Sequence, residues 1–262
     1  VVLGTSRGQI VFWDVRHMRE IDTLSHPAAH GSIEALALDP QRHWLCAGTS
    51  NGHVALWDTR FHVRLQTWRT SNHARIRACA LHPTRPHVLT VATSAVVSLD
   101  LGTGAVLETF YSREFGEHVP NITLEPCVDE APSDTCLDGS YALCVGADGY
   151  MSSPAESPRG WIVTGGSDRV VRFWDLGRAD TCTAFGSQIH GEFTMTHHRY
   201  IHTFQCIEAP PKRSPLHIHQ QVKDAMGTLT SHQDTITALA VIEAPYRCVV
   251  AGDRSGVLCV WE

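Results

Sequence analysis

At 262 residues and 43% hydrophobic content the chain can bury a sizeable core, and it holds no apolar run near the ~20 residues that a membrane-crossing helix needs. A net charge of −6 argues against a nucleic-acid binder, which carries a basic surplus. Nine cysteines without a CxxC pair read as small buried hydrophobes in a reducing, intracellular setting, not as disulfides or a zinc site.

The first predicted strand is Val1 to Gly4. It has no cationic lead, so no signal peptide is expected. It reads as the second strand of a four-strand unit, so the chain is expected to be a piece of a longer protein. Arg7-Gly8 makes a hairpin turn, and the run that follows ends at Trp13-Asp14. Val1 to about Ser25 thus supplies three strands. The next unit is complete, with Ile33–Leu38, Trp44–Gly48, Val54–Trp57 and Val63–Trp68. Its centre, HWLCAGTSNGHVALWDTR from His43 to Arg60, sets Asn51-Gly52 between two apolar runs. That is the strongest short hairpin signal, and a type I′ turn with positive φ at both residues is expected. The third unit runs through Ile76–Leu81, Val88–Ala92, Val96–Leu99 and Ala105–Phe110, and closes on Leu99-Asp100 where the others have tryptophan. The inner-strand phrases SIEALALDP, RIRACALHP and TITALAVIEAP all stop at proline, which cannot donate to a ladder.

After Phe110 the period breaks. Ser112 to Ser140 reads as an exposed, partly disordered loop; from Glu114 to Asp138 it carries Glu114, Glu117, Glu125, Asp129, Glu130, Asp134 and Asp138 with no lysine or arginine. The rest of the chain is close to neutral. Tyr141–Gly146 is an expected inner strand, a small loop covers 152–159, and the next closing phrase ends at Trp174-Asp175. The stretch from Thr181 to Ser231 shows no hairpin phrase, so a single long insertion is expected there. It holds His190, His197, His198, His202, His217 and His219, with Pro210-Pro211-Lys212-Arg213. The last unit follows at Ile236–Val241, Cys248–Gly252 and Val257–Trp261, before Glu262.

The closing phrase recurs 44 residues apart from Trp13 to Trp57 and 42 from Trp57 to Leu99, within the ~40–45-residue period of WD repeats. A four-stranded blade cannot bury both faces alone, so the expectation is an all-β WD-repeat β-propeller. Five blades are expected, at 1–29, 30–70, 71–111, 140–206 and 232–262, with insertions at 112–139 and 187–231. Neither end completes a blade, so the missing blades are expected upstream of Val1.

Trp13, Trp57, Trp174 and Trp261 read as packing residues between blades. Membership of the WD-repeat class implies a hydrogen-bonded network of a histidine, a turn aspartate and the tryptophan. It is carried here in part by His30 with Asn51 and Trp57, by His232 with Ser255 and Trp261, and by Asp168 with Trp174. Only Asp168 keeps the carboxylate at the turn position. The aspartates Asp14, Asp58, Asp100 and Asp175 close the phrases. Arg7, Arg169 and Arg254 sit in hairpin turns and Arg75 just before an inner strand, a cationic rim that could receive an acidic partner or a phosphate, although solvated turn residues are the simpler reading. His197, His198 and His202 lack the further ligands of a metal site, and HRYIHTFQC alternates like a strand. No GxSxG, phosphate loop or HExxH occurs, so neither catalysis nor a cofactor is predicted.

The ordered phrases WLCAGTSNGHVALWDTRF (44–61), HARIRACALHP (73–83), VTGGSDRVVRFWDL (163–176) and HQDTITALAV (232–241) resemble the C-terminal WD-repeat region of the regulatory subunit of the class III phosphatidylinositol 3-kinase, the protein-kinase-like vacuolar sorting protein. Thr59-Arg60-Phe61 and Arg75-Ile76-Arg77 are more specific than the generic repeat. Leu99-Asp100 and the acidic insert depart from it. The resemblance implies a propeller of seven blades in all, and a non-catalytic scaffold, since the parent's kinase motifs are not in this chain. The implied partners are the lipid kinase catalytic subunit and coiled-coil adaptor subunits, with no nucleic acid, and with cytoplasmic location peripheral to endosomal and autophagic membranes through the complex. The alternatives are a generic WD adaptor, such as a ubiquitin-ligase substrate receptor or a G-protein-β-like scaffold, and an enzyme, which would need a cleft of convergent pKa-shifted groups.

Overall fold

The computed structural model describes residues 1–70, 73–93, 95–112, 124–126, 140–146, 160–177, 182–185, 192–197, 200–205, 232–242 and 248–261. They form twenty-one strands and one short 3-10 turn, Ala28–His30. The chain divides into two compact units, Val1–Thr109 with Pro120–Leu137, and Phe110–Val119 with Asp138–Glu262.

In the first unit, β1 (Val2–Gly4), β2 (Gln9–Asp14) and β3 (Arg19–Ser25) form a three-stranded sheet. Strands β4 (Ile33–Leu38), β5 (Trp44–Thr49), β6 (His53–Asp58) and β7 (Val63–Thr70) form the second blade in simple up-and-down order. The third has β8 (Ala78–Leu81), β9 (Val88–Ala92), β10 (Val96–Asp100) and β11 (Val106–Ser112). Strand β6 is buried at all six positions and β5 at five, as central strands covered on both faces must be. Between the first two blades Ile10, Leu24, Ile33, Leu45, Ala47, Ala55 and Trp57 form one apolar cluster.

Blade-to-blade packing repeats one device. A Cβ built on Gly4 would lie 2.5 Å from Ile33 Cγ2, and one on Gly165 2.6 Å from Ile236 Cγ2; at Gly48 the side chain of Ile76 stands in the way. In each case glycine near the end of a blade's second strand admits an isoleucine at the start of the next blade's inner strand or, for Ile76, two residues before it. The backbone seals two of these contacts, Ile33 N–H donating to Thr5 O and Ile76 N–H to Thr49 O, both at 3.0 Å. Ile76 is fully buried, which contributes roughly 2–3 kcal/mol. The strand β8 begins at Ala78, two residues after Ile76, where the apolar pattern places its start.

The second unit holds β13 (Ser140–Gly146), β14 (Trp161–Gly166), β15 (Val171–Asp175) and β16 (Thr183–Phe185) in one four-stranded sheet, and β19 (Ile236–Ile242), β20 (Cys248–Asp253) and β21 (Leu258–Trp261) in a three-stranded one. Their shared core includes Trp161, Phe173, Ile236, Val249 and Trp261.

Three expectations need correction. The acidic insert contains a strand, β12 (Leu124–Pro126), which adds antiparallel to β7 with Leu124 opposite Thr70 and Pro126 opposite Trp68. Three residues are too short to show a period, and the edge of β7 supplies the ladder. The long insertion, where no hairpin phrase is expected and only HRYIHTFQC reads as a strand, contains a hairpin, β17 (Glu192–His197) with β18 (Tyr200–Gln205), closed at His197 opposite Tyr200. Its turn has none of the glycine or asparagine that announces a hairpin. Asn51-Gly52 is not a type I′ turn, because only Gly52 has positive φ, at 77°. Gly8 and Gly256, at 75° and 90°, and Arg169, at 64°, take the same place in their turns. The remaining carboxylates of the insert, with His190, His198, His217, His219, Pro210–Arg213 and Glu262, lie outside the described residues.

Candidate interaction surfaces and the repeat networks

The aspartates that close each third strand cap the turn that follows. Asp14 Oδ1 accepts from Arg16 N at 2.9 Å, Asp58 Oδ1 from Arg60 N at 2.8 Å, Asp100 Oδ1 from Gly102 N at 2.8 Å, and Asp175 Oδ1 from Gly177 N at 2.7 Å. An Asp side chain accepting from the amide two residues on fixes the chain reversal, so the second half of the repeat signature is a turn device. Arg60 adds a two-pronged pair to Asp58, and this side-chain hydrogen bond, with the turn amides, holds the carboxyl at about 2. His17 does the same for Asp14, lowering its pKa.

The tryptophan networks differ from the sequence expectation in all three blades. In the second blade Trp57 Nε1 donates to His26 Nε2 at 3.1 Å, not to His30. His30 instead stacks on His53, with ring centroids 3.9 Å apart and 8° from parallel, while Asn51 Nδ2 donates to Ala29 O at 2.8 Å. Burial, aided by His30 and Arg64, pushes His26 down to about 4, and burial with His30, Arg69 and His73 does the same for His53. A neutral His26 is what the geometry needs, because only an unprotonated Nε2 can accept from the indole. In the fourth sheet Trp174 Nε1 donates to Thr164 Oγ1 at 2.9 Å, and Asp168 pairs with Arg172 at 2.5 Å. In the last sheet His232 Nδ1 meets Asp253 Oδ2 at 3.3 Å, and Ser255 Oγ donates to Asp253 Oδ1 at 2.7 Å. Asp168 is therefore not alone in keeping a turn carboxylate; Asp253 stands two residues before the expected place.

Burial raises the Asp253 carboxyl, but hydrogen bonds from Ser255, Val257, Gln233 and His232 outweigh it and hold it at about 2. His232 is held low by burial, which the carboxylate opposes. Its ring lies 5.6 Å from that of Trp261. The residues missed from sequence are thus His26, Thr164 and Asp253. Spacing could not single out His26, for it lies 31 and His30 27 positions before Trp57, against 29 from His232 to Trp261.

Trp13 sits in β2 opposite Glu20, where β3 carries a register shift. The turn arginines Arg7 and Arg75 of the first unit are exposed, as are Arg169 and Arg254 of the second. Arg169 occupies a left-handed position that usually calls for glycine. His197 lies in β17, and His202 in β18 faces Met195 across the ladder. Among the described residues no group of three or more His, Cys, Asp and Glu is placed to hold a metal ion.

Residues 19–58 and 157–175 match the WD domain, G-beta repeat family. A serine/threonine-protein kinase VPS15 of Komagataella pastoris is 21% identical over 273 aligned positions, covering 97% of this chain and 20% of that protein. The VPS15 of Arabidopsis thaliana is 23% identical, covering 100% of this chain and 20% of its own length. One of Dictyostelium discoideum is 40% identical over 72 residues, 28% of this chain and 4% of that protein. The chain therefore spans about a fifth of the curated relatives that it matches along its length. A chain of the crystal structure of the mitotic checkpoint complex superposes with a TM-score of 0.51 at 13% identity, over 100% of this chain and 70% of that one, a likeness of fold alone. The chain is a WD-repeat sequence homologous, from end to end, to a stretch of the VPS15 serine/threonine-protein kinases.

Proposed function

We propose that this chain is the non-catalytic scaffold of a regulatory subunit of the class III phosphatidylinositol 3-kinase, and that it holds the lipid kinase and coiled-coil adaptor subunits together for endosomal sorting and autophagy. The observation that carries this reading is the end-to-end homology to VPS15 proteins in a chain built of WD blades. WD blades serve protein recognition, and their polar groups here are spent on capping and packing. In this reading the chain reaches cytoplasmic membranes through its complex.

The test expresses the protein that carries this chain with and without residues 1–262 and asks whether lipid kinase and coiled-coil subunits co-purify. Loss of the coiled-coil subunits on deletion supports the scaffold and directs charge reversals to Arg7, Arg75, Arg169 and Arg254. An intact, active complex overturns it and leaves a generic WD adaptor, which a basic or phosphate-binding pocket among the turn arginines would favour.

A further inference from the structure

Six of the most exposed apolar side chains among the described residues fall in two short segments of the first unit. They are Val15, Met18 and Ile21 around the turn from β2 to β3, and Phe61, Val63 and Leu65 around the turn from β6 to β7. All are more than half exposed, Met18 at 70% and Phe61 at 73%. The two segments adjoin. The ring of His62 stacks on Phe12 with centroids 5.4 Å apart, and His62 pairs with Asp22. An apolar cluster of this kind on a folded surface marks an interaction site.

Local geometry turns these side chains outward. In β3 the register jumps from Glu20 opposite Trp13 to Asp22 opposite Phe12, so Ile21 is an extra residue without a partner. In β7 it jumps from Arg64 opposite Trp57 to Gln66 opposite Leu56, which leaves Leu65 in the same position. Met18 and His62 hold positive φ, 50° and 55°, at the corresponding places in their turns. Each bulge leaves its apolar residue outside the ladder, so the patch presents side-chain tips; β12 pairs with β7 only at the far end, Trp68 to Thr70.

The charges decide the occupant. Asp14 is engaged by His17, Asp58 by Arg60 and Asp22 by His62, and the exposed carboxylate of Glu20 accepts from Thr23 Oγ1, so each acid of the two segments is engaged within them. Arg16, Arg19 and Arg64 alternate with the apolar residues and have no carboxylate partner among the described residues; Arg64 lies 6.0 Å from the centre of the Trp57 ring. Apolar tips interleaved with arginines suit an interface of acyl chains below and anionic headgroups above, where arginine stems lie along apolar surface and their heads reach phosphate. We propose that these two turns form a direct contact with an anionic phospholipid surface, Met18 and Phe61 entering the interface and Arg16, Arg19 and Arg64 meeting headgroups. This contact belongs to the chain itself and is independent of the scaffold reading.

The experiment is flotation of the full chain with vesicles of phosphatidylcholine alone and of phosphatidylcholine with phosphatidylserine in equal parts. Wild type is expected to float with the phosphatidylserine vesicles only, less at high salt. The pair Met18→Ser and Phe61→Ser, and separately Arg16→Glu with Arg64→Glu, each lower the partition coefficient about tenfold or more. Circular dichroism and the melting temperature stay at wild-type values, because all four side chains are exposed. No flotation of wild type, or flotation that both variant pairs leave unchanged, overturns the proposal. Self-association that the serine pair abolishes, without flotation, also overturns it, in favour of a second copy of this chain; so does capture of an acidic peptide without flotation.

Discussion

Replacing Asp253 by alanine removes the acceptor that ties the last sheet together. Five donors converge on that carboxylate: Ser255 Oγ at 2.7 Å, Val257 N at 2.9 Å, Gln233 N at 3.0 Å, His232 Nδ1 at 3.3 Å and Asp234 N at 3.5 Å. The side chain is fully buried, so water cannot replace it freely. Three contacts are short and involve a charge. With each such bond worth about 1–1.5 kcal/mol, and the abandoned amides left in the interior, Asp253→Ala costs about 3–5 kcal/mol. Asp253→Asn keeps the shape and one acceptor oxygen, and costs about 1–2 kcal/mol. Urea unfolding of the full chain, followed by tryptophan fluorescence at neutral pH, reads both. The carboxyl sits at about 2 in the fold against an ordinary 3.8, so its stabilisation is fully present above 3.8 and is lost as pH falls from there toward 2. The gap between wild type and alanine variant therefore closes in that window. An alanine variant within about 0.5 kcal/mol of wild type at neutral pH would refute the account of Asp253 as the anchor of this turn.

Two further outcomes separate packing from backbone and histidines from carboxylates. Gly48→Ala drives a methyl into Ile76 and lowers stability by about 1–3 kcal/mol, whereas Gly256→Ala, with nothing within 4 Å of the new atom but a φ of 90°, costs about 1 kcal/mol; equal losses in urea titrations would remove the packing argument. His26 and His53 sit at about 4 in the fold against an ordinary 6.5, so the unfolded chain binds more protons between those values. Their contribution is complete above 6.5 and is lost as pH falls toward 4, well above the window of Asp58 and Asp253. The melting temperature should drop on acidification from 7 to 5, and His53→Phe should flatten that slope.

The repeat was legible because each half of its signature is local. Trp57-Asp58 closes a strand by burying an indole and capping a turn within two residues, and a spacing near 44 follows from four strands and their turns. The bulge that leaves Ile21 and Leu65 outside the ladder was not legible, because nothing in the residues marks the extra position. The networks around the tryptophans failed for another reason. His26 and His30 are four positions apart in a short turn, and either could reach an indole in a neighbouring strand. The choice between them was made by His53, a residue of β6 that occupies the face of His30 and leaves His26 for Trp57. Asp253 likewise depends on a turn that folds its carboxylate under the amides of Gln233 and Val257.

By itself the sequence determined the strands of the repeat units outside the insertions, the turn aspartates and the kinship with VPS15, which rest on a repeated phrase and on contacts a few residues long. Only the tertiary structure decided which histidine serves which tryptophan, that glycines 4, 48 and 165 exist to admit an isoleucine of the next blade, and that two arginine-flanked apolar turns lie side by side. These depend on residues about 30 or more positions apart being pressed into one close-packed interior, where a difference of one side chain or one bulge settles the partner.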